Sequence, residues 1–168
     1  MEAAIEPHTR LIVVTAASNV TGTKQPVKEI GRIARKHGVC LLVDGAQAAG
    51  KLPLNLSEMP IDMLAFPGHK GLSGPPGTGG LYVSPHIKLQ PLLFGGTGTM
   101  SNSIDAPMDF PEGYEAGTLN GPGIVGLGKG VSMIAQVGLD TLMHHERTLI
   151  AYLEDYLREM KRIPNHLC

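Results

Sequence analysis

The fold is decided by the stretch Val39-Cys40-Leu41-Leu42-Val43-Asp44-Gly45-Ala46-Gln47, an apolar run that stops at a carboxylate and a glycine. A short apolar run of this kind predicts a strand, here over residues 39–43. Residues 10–16 are rich in β-branched side chains and almost continuously apolar, which predicts a second strand that is buried. A helix is predicted between them, beginning at Pro26 and stopping at Gly38. Together these segments predict a βαβ unit with parallel strands and a right-handed crossover.

Two more strands are predicted downstream, over residues 61–66 and 79–84. The connection over residues 46–60 is long enough for another crossover, so strand 61–66 is expected to join the parallel set. Residues 67–78 are few and rich in Gly and Pro, which favours an antiparallel neighbour for strand 79–84. The predicted fold class is therefore α/β, with a mixed, mostly parallel sheet and flanking helices.

The rest of the chain divides into an irregular segment and two helices. Residues 85–120 are rich in Gly, Pro, Ser, Thr and Asn and show little periodicity, which is typical of a loop that is functional or shared with a partner. Apolar residues recur at helical spacing over residues 121–137 and 139–162. Gly138 marks the break between these two predicted helices.

Composition and charge narrow the class of function. At 168 residues the chain is long enough for one compact domain with a core. The net charge of −1 gives no basic surface for nucleic acid or for a membrane. No apolar run reaches the roughly 18 residues of a membrane span, and residues 1–6 lack the pattern of a signal peptide. Cys40 and Cys168 do not make a disulfide framework, so we expect a cytoplasmic protein.

Polar residues follow the carboxyl ends of the three predicted parallel strands, namely Asn19, Asp44, Gln47, His69 and Lys70. Ligands of α/β sheets bind at that edge, so we expect these side chains to face one crevice. Each residue alone has an ordinary explanation as a turn or cap residue. Their joint placement is what favours a functional site.

Two other segments resemble known functional motifs but lack residues that those motifs require. Residues 74–81 approach the phosphate loop of an ATPase, but Gly80 and Leu81 stand where the lysine and the hydroxyl belong. Residues 144–146 lack the second histidine of a zinc-binding HExxH motif, and a solvated helix face is the better interpretation.

A lysine that can form a Schiff base and a carboxylate that can pair with a pyridinium nitrogen describe a pyridoxal-phosphate site. Lys70 and Asp44 supply this pair. Four motifs surround them: Ser18-Asn19-Val20-Thr21-Gly22, Val43-Asp44-Gly45-Ala46-Gln47, Gly68-His69-Lys70 and Tyr114-Glu115-Ala116-Gly117-Thr118-Leu119-Asn120. In this combination the chain resembles the class V aminotransferase group of fold type I pyridoxal-phosphate enzymes. Within that group it is most similar to cysteine desulfurases and selenocysteine lyases.

The resemblance implies a large-domain core of the fold type I kind and a role for each residue around the cofactor ring. Lys70 would hold pyridoxal 5′-phosphate covalently. Asp44 would pair with the pyridine nitrogen and keep it protonated. Gln47 and Asn19 would lie near the phenolic oxygen of the cofactor.

The resemblance also implies how the cofactor phosphate is held. His69 would help to bind it, and Gly68 would contribute only a backbone N–H because many desulfurases carry a serine where this chain has glycine. Thr118 would reach the phosphate that is bound mainly by the other subunit of a homodimer. The irregular segment over residues 85–120 would then be partly an interface.

Family members are longer, so the resemblance implies that this chain is a central slice of the pattern, truncated at both ends. Residues 1–137 would be part of the large domain, and residues 138–168 would form a long helix leading into a small C-terminal domain. The arginine that binds the substrate carboxylate and the loop with the nucleophilic cysteine would lie outside this sequence. Cys40 cannot replace that cysteine because it lies inside a predicted strand.

The function implied is Schiff-base chemistry on a small amino-acid substrate, with release of sulfur to an acceptor protein. A class V transaminase or an epimerase-like enzyme is the alternative within the family, because the cysteine loop that would separate them is absent from this sequence. A non-catalytic truncated domain is the alternative outside it.

Overall fold

The structure is a computed structural model that describes residues 1–96 and 110–160. One sheet holds four strands, and their order in space follows the chain: β1 (Leu11–Thr15), β2 (Cys40–Asp44), β3 (Met63–Pro67) and β4 (Gly79–Val83). The first three strands are parallel, and β4 is antiparallel to β3. The predicted mixed, mostly parallel sheet is therefore confirmed.

Within the described ranges, three α-helices accompany the sheet: α1 (Val27–Lys36), α2 (Gly121–Val137) and α3 (Leu139–Glu159). Pro26 is the residue before α1 rather than its first helical residue. The Asn120 side chain begins α2 by accepting a hydrogen bond from the Gly123 amide at 3.1 Å. Gly138, at a φ of 87°, ends α2 and precedes α3. The end predicted for the last helix, at residue 162, lies outside the described residues.

One face of the sheet carries the core. Helix α1 and the segment after β2 pack against that face, because their apolar residues point towards the strands. The side chains of Leu41 and Val43 in β2 are fully buried. The core consists of Ala16, Val27, Ile30, Ala34, Leu41, Val43, Ala48, Ile61 and Leu64.

The other face of the sheet is largely open, and here the sequence prediction was wrong. Residues 10–16 were expected to form a buried strand, yet Leu11 is 44% exposed and Val13 is 62% exposed. Only the alternate residues, Ile12 and Val14, pack against the core. A continuous apolar run is typical of strands covered on both faces, whereas no described helix covers the second face of β1.

The segment between β4 and α2 is irregular where it is described, as predicted, apart from one short 3₁₀ helix (Glu112–Tyr114). It folds back on itself through the Tyr114 hydroxyl, which donates to the Leu89 carbonyl at 2.7 Å. Residues 97–109 lie outside the description. Among the described helices, none is long and apolar enough to cross a membrane.

Candidate active site

The carboxyl ends of β1, β2 and β3 meet at one edge of the sheet. Thr15, the last residue of β1, pairs with Asp44 of β2, and Asp44 pairs with Ala65 of β3. Asn19 follows the first of these strands and Lys70 follows the third. The strand arrangement on which the predicted crevice depended is therefore present.

Asp44 presents its carboxylate on the open face of the sheet. Its strand neighbours Leu41 and Val43 are buried, and because side chains alternate along a strand, Asp44 lies on the side opposite Val43. Its Oδ1 accepts a hydrogen bond from the Ala46 amide at 2.8 Å, which fixes the carboxylate at the end of β2. Oδ2 has no hydrogen-bond partner among the described residues. One oxygen is therefore free to accept a bond from a ligand.

Lys70 lies on a tight turn that follows β3. The Ser73 amide donates to the Lys70 carbonyl at 2.9 Å, and the Gly74 amide donates to the Gly68 carbonyl at 2.8 Å. The Lys70 side chain is exposed and forms no ion pair with a described residue. It borders a cavity of about 290 Å³ whose walls include Met133 and Leu142.

Gln47 lines a second cavity, of about 270 Å³, together with Ser18, Gly22 and Lys24. The two cavities share part of their walls, because Lys51 and Glu146 line both of them. Lys51 Nζ and Glu146 Oε1 are 2.6 Å apart and form an ion pair between the segment after β2 and helix α3. Lys70 and Gln47 therefore border neighbouring spaces rather than one cavity.

This ion pair could not be predicted from the sequence. Glu146 belongs to the stretch that was expected to be a solvated helix face, and Lys51 lies in the connection after β2. The two residues are 95 positions apart, so no short-range pattern relates them. The sequence shows that each segment contains charged residues, but it does not show which of them form an ion pair.

The backbone N–H of Gly68, which was expected to reach a phosphate, already has an acceptor within the chain. Its amide donates to the Thr78 carbonyl at 2.7 Å, as part of the pairing between β3 and β4. A Cβ at this position would also run into Thr78 Oγ1, so the site has no room for a serine. Gly68 is therefore tightly packed, and the phosphate role inferred for its amide stays a prediction.

His69, Asn19 and Thr118 have exposed side chains. His69 lies next to Lys70, and Asn19 lies in the loop after β1 that an isolated bridge between Ala17 and Lys24 closes. Thr118 follows Gly117, which has a φ of 87°, and lies apart from both cavities described above. The structure thus brings Asn19, Asp44, Gln47 and Lys70 to one sheet edge without assigning a ligand to them.

The family description that matches this sequence is Aminotransferase class-V, and the match spans residues 1–167. The chain belongs to the class V aminotransferase family. The resemblance seen in the motifs is therefore confirmed at the family level, and so is the fold. Homologues of the chain are cysteine desulfurases, which are pyridoxal-phosphate enzymes.

Named relatives agree with this family. A probable cysteine desulfurase of Methanothermobacter thermautotrophicus is 44% identical over 149 residues, which cover 86% of this chain and 37% of that protein. The apo structure of a cysteine desulfurase from Thermococcus onnurineus superposes with a TM-score of 0.81 at 34% identity, covering 94% of this chain and 41% of that one. The structure of SspA in complex with cysteine has a TM-score of 0.66 at 38% identity, covering 78% and 35%. The chain therefore spans less than half the length of these relatives.

The residues at the sheet edge fit two parts of pyridoxal phosphate. Lys70 offers an exposed amine for the aldehyde, and Asp44 offers a free carboxylate oxygen for the ring nitrogen. The fit to the phosphate is weaker, because the Gly68 amide is already bonded to Thr78. His69 and Thr118 remain as candidate donors to it.

Proposed function

We propose that this chain is the cofactor-binding core of a pyridoxal-phosphate enzyme of the cysteine desulfurase type. The single observation that supports it most is the placement of Asp44 at the end of β2 and of Lys70 after the neighbouring parallel strand β3, in a class V aminotransferase fold. An amine and a carboxylate at one sheet edge are the pair that this cofactor requires.

Each residue then has a defined task. Pyridoxal phosphate, when bound, would supply an electron sink for the reaction. Asp44 Oδ2 would hold its ring nitrogen through a charge-assisted hydrogen bond. The Lys70 amine would hold its aldehyde carbon and would move protons at the substrate. Gln47 and Asn19 would lie near its phenolic oxygen.

Sulfur transfer needs a cysteine that the described residues do not supply. Cys40 is the first residue of β2 and Asp44 is the last, so they lie about 13 Å apart at roughly 3.3 Å per residue. Cys168 lies outside the described residues. We therefore assign binding and activation of the amino acid to this chain. Transfer of sulfur to an acceptor protein would need the further residues of the longer family members. The relative bound to cysteine supports cysteine as the substrate.

The remaining parts of the proposal concern assembly. A homodimer would bring Thr118 of one protomer to the phosphate at the other, which is in keeping with its exposed position. Residues 1–137 would form the large-domain part, and the helix that follows Gly138 would lead towards a second, smaller domain. A cytoplasmic location is part of the same proposal.

A domain without catalysis is the second candidate function. It is favoured by the exposed apolar side chains on the open sheet face, Leu11, Val13 and Leu81, which an active assembly would be expected to cover. The two candidates differ in whether Lys70 captures the cofactor.

The test is a titration of the full chain with pyridoxal phosphate, followed by visible absorbance of the covalently bound cofactor. The unsubstituted chain and a Lys28→Ala control on α1 should develop the band, and Lys70→Ala should not. Addition of cysteine should then change the band in the first two proteins. A band of equal size in Lys70→Ala, or no band in any of the three, would contradict the proposed function.

A further inference from the structure

We propose that Gly130 of helix α2 is a positioning residue for Lys70. It acts by letting the helix backbone lie directly against the turn that carries the lysine. The proposal rests on the proposed function, because it concerns how the amine of Lys70 is held for the cofactor. It adds a residue that lies 60 positions away along the chain and does not itself touch the site.

The contact between α2 and the turn is made by backbone atoms. A Cβ at Gly130 would run into the Leu72 carbonyl oxygen and would lie 2.9 Å from the Ser73 carbonyl oxygen. Both carbonyls belong to the turn that begins at Lys70. No side chain larger than hydrogen fits at Gly130 unless the turn moves.

A neighbouring residue of α2 extends this contact. Leu127 lies one helical turn before Gly130 and packs over the start and the end of the loop. A Cβ at Gly68 would lie 3.1 Å from Leu127 Cδ1, and one at Gly74 would lie 2.7 Å from it. The helix therefore covers the turn from Gly68 to Gly74.

The segment after β2 confines the same turn from another side. Gly71 approaches residues 49–51 so closely that a Cβ on it would lie 2.9 Å from Lys51 Cγ. Gly50, at a φ of 76°, makes the reciprocal contact with the Gly71 carbonyl. The turn with Lys70 is therefore packed between α2 and the segment that begins at Asp44.

The backbone of the turn is itself constrained. Ser73 has a φ of 56°, in the left-handed region that few residues other than glycine adopt. A residue persists there only when its surroundings hold it, and such residues concentrate near functional sites. The packing of Gly130 against the Ser73 carbonyl adds to the restraint on this residue. It thereby fixes the direction in which the Lys70 side chain leaves the turn.

The experiment compares Gly130→Ala with Gly128→Ala in the full chain. Both residues lie within α2, so both substitutions raise helix propensity to the same extent. Only Gly130 has neighbours, since a Cβ at Gly128 would meet nothing within 4 Å. Circular dichroism checks that each variant is folded. If Gly130→Ala does not fold, Leu127→Ala loosens the same contact by removing atoms rather than adding them.

The readout does not depend on the cofactor. Reductive methylation followed by peptide mass spectrometry gives the labelling rate of Lys70 relative to Lys28. In Gly130→Ala the relative rate should rise, because the amine leaves the cavity wall. In Gly128→Ala it should match the unsubstituted chain. A role in stability alone would change both lysines together.

A measurement of cofactor capture then distinguishes the positioning role of Gly130 from the proposed function. Covalent capture of pyridoxal phosphate should slow about tenfold or more in Gly130→Ala, since a displacement on the order of 1 Å can cost that much in reaction rate. If the unsubstituted chain captures cofactor at Lys70 and all variants match it in rate and labelling, the positioning role is overturned while the function stands. If no protein captures cofactor, the proposed function fails, and the labelling ratio alone decides the role of Gly130.

Discussion

At the residue scale, Asp44 has one carboxylate oxygen engaged, and the other has no partner in the part of the chain that the structure describes. Oδ1 is held by the Ala46 amide, and this bond orients the side chain at the end of β2. An asparagine has the same shape and its Oδ1 can accept the same bond. The residue therefore offers a way to remove the charge of the candidate site while leaving its geometry in place.

We predict that Asp44→Asn weakens binding of pyridoxal phosphate by about tenfold or more, since a hydrogen bond to a charged group contributes about 1.5–3 kcal/mol. The free energy of unfolding should change by less than about 0.5 kcal/mol, because the side chain is exposed. An absorbance titration measures the first and urea unfolding the second. Asp140→Asn, on the exposed side of α3, is the control. Equal cofactor affinity in both variants would refute the role of Asp44.

Among the described residues, Glu2 is the one whose ionisation is most clearly perturbed. Hydrogen bonds from His37 and Lys36, at 2.9 Å each, lower the pKa of its carboxyl from 4.5 to about 2. Because the pKa is lower in the folded chain, this contact stabilises the fold fully above about pH 4.5 and is lost as the pH falls towards 2. Thermal melts of the unsubstituted chain and of Glu2→Gln should therefore differ at pH 6 and converge near pH 2. A difference that persists unchanged at the lower pH would show that the carboxylate charge is not responsible.

At the element scale, the strand ends opposite the candidate site are tied together by Asp62. Its Oδ2 accepts from the amide of the fully buried Leu41 at 2.7 Å, which links β3 to β2. Its Oδ1 lies 3.0 Å from His86 Nε2, and His86 Nδ1 lies 2.8 Å from Ser84 Oγ after β4. One carboxylate therefore joins three strands at the end of the sheet away from Lys70.

Asp62→Ala should lower the free energy of unfolding by about 1–3 kcal/mol, because the Leu41 amide is left buried without a partner. His86→Ala should have a smaller effect, since 63% of the His86 side chain is exposed. Urea denaturation of the two variants measures the difference. If both substitutions cost the same, the bond to the Leu41 amide is not the stabilising part of the network.

At the scale of the whole molecule, the sequence predicts the helices and strands better than it predicts what packs against them. Helix α2 spans Gly121–Val137 as predicted, because Asn120 and Gly138 mark its ends locally. The directions of the strands also follow from connection lengths. The exposure of Leu11 and Val13 does not, because burial of an apolar strand depends on what covers it rather than on its own pattern.

The candidate site likewise has some features that the sequence predicts and others that it does not. Asp44 and Lys70 could be placed from the strand ends that precede them, since parallel strands share one edge. The engagement of the Gly68 amide could not, because its partner Thr78 is fixed only when β3 and β4 pair. The Lys51–Glu146 ion pair is equally inaccessible to sequence patterns, because it joins two segments that only the tertiary fold brings together.

The central claim is that Lys70 is the residue that captures pyridoxal phosphate. It is tested most directly by mixing the full chain with the cofactor, reducing with borohydride, and mapping the modified lysine by peptide mass spectrometry. We predict that the modification lies on Lys70 and that Lys70→Ala removes it, whereas Lys28→Ala leaves it unchanged. Absence of an adduct on Lys70, or an adduct spread equally over the other lysines, would contradict the claim.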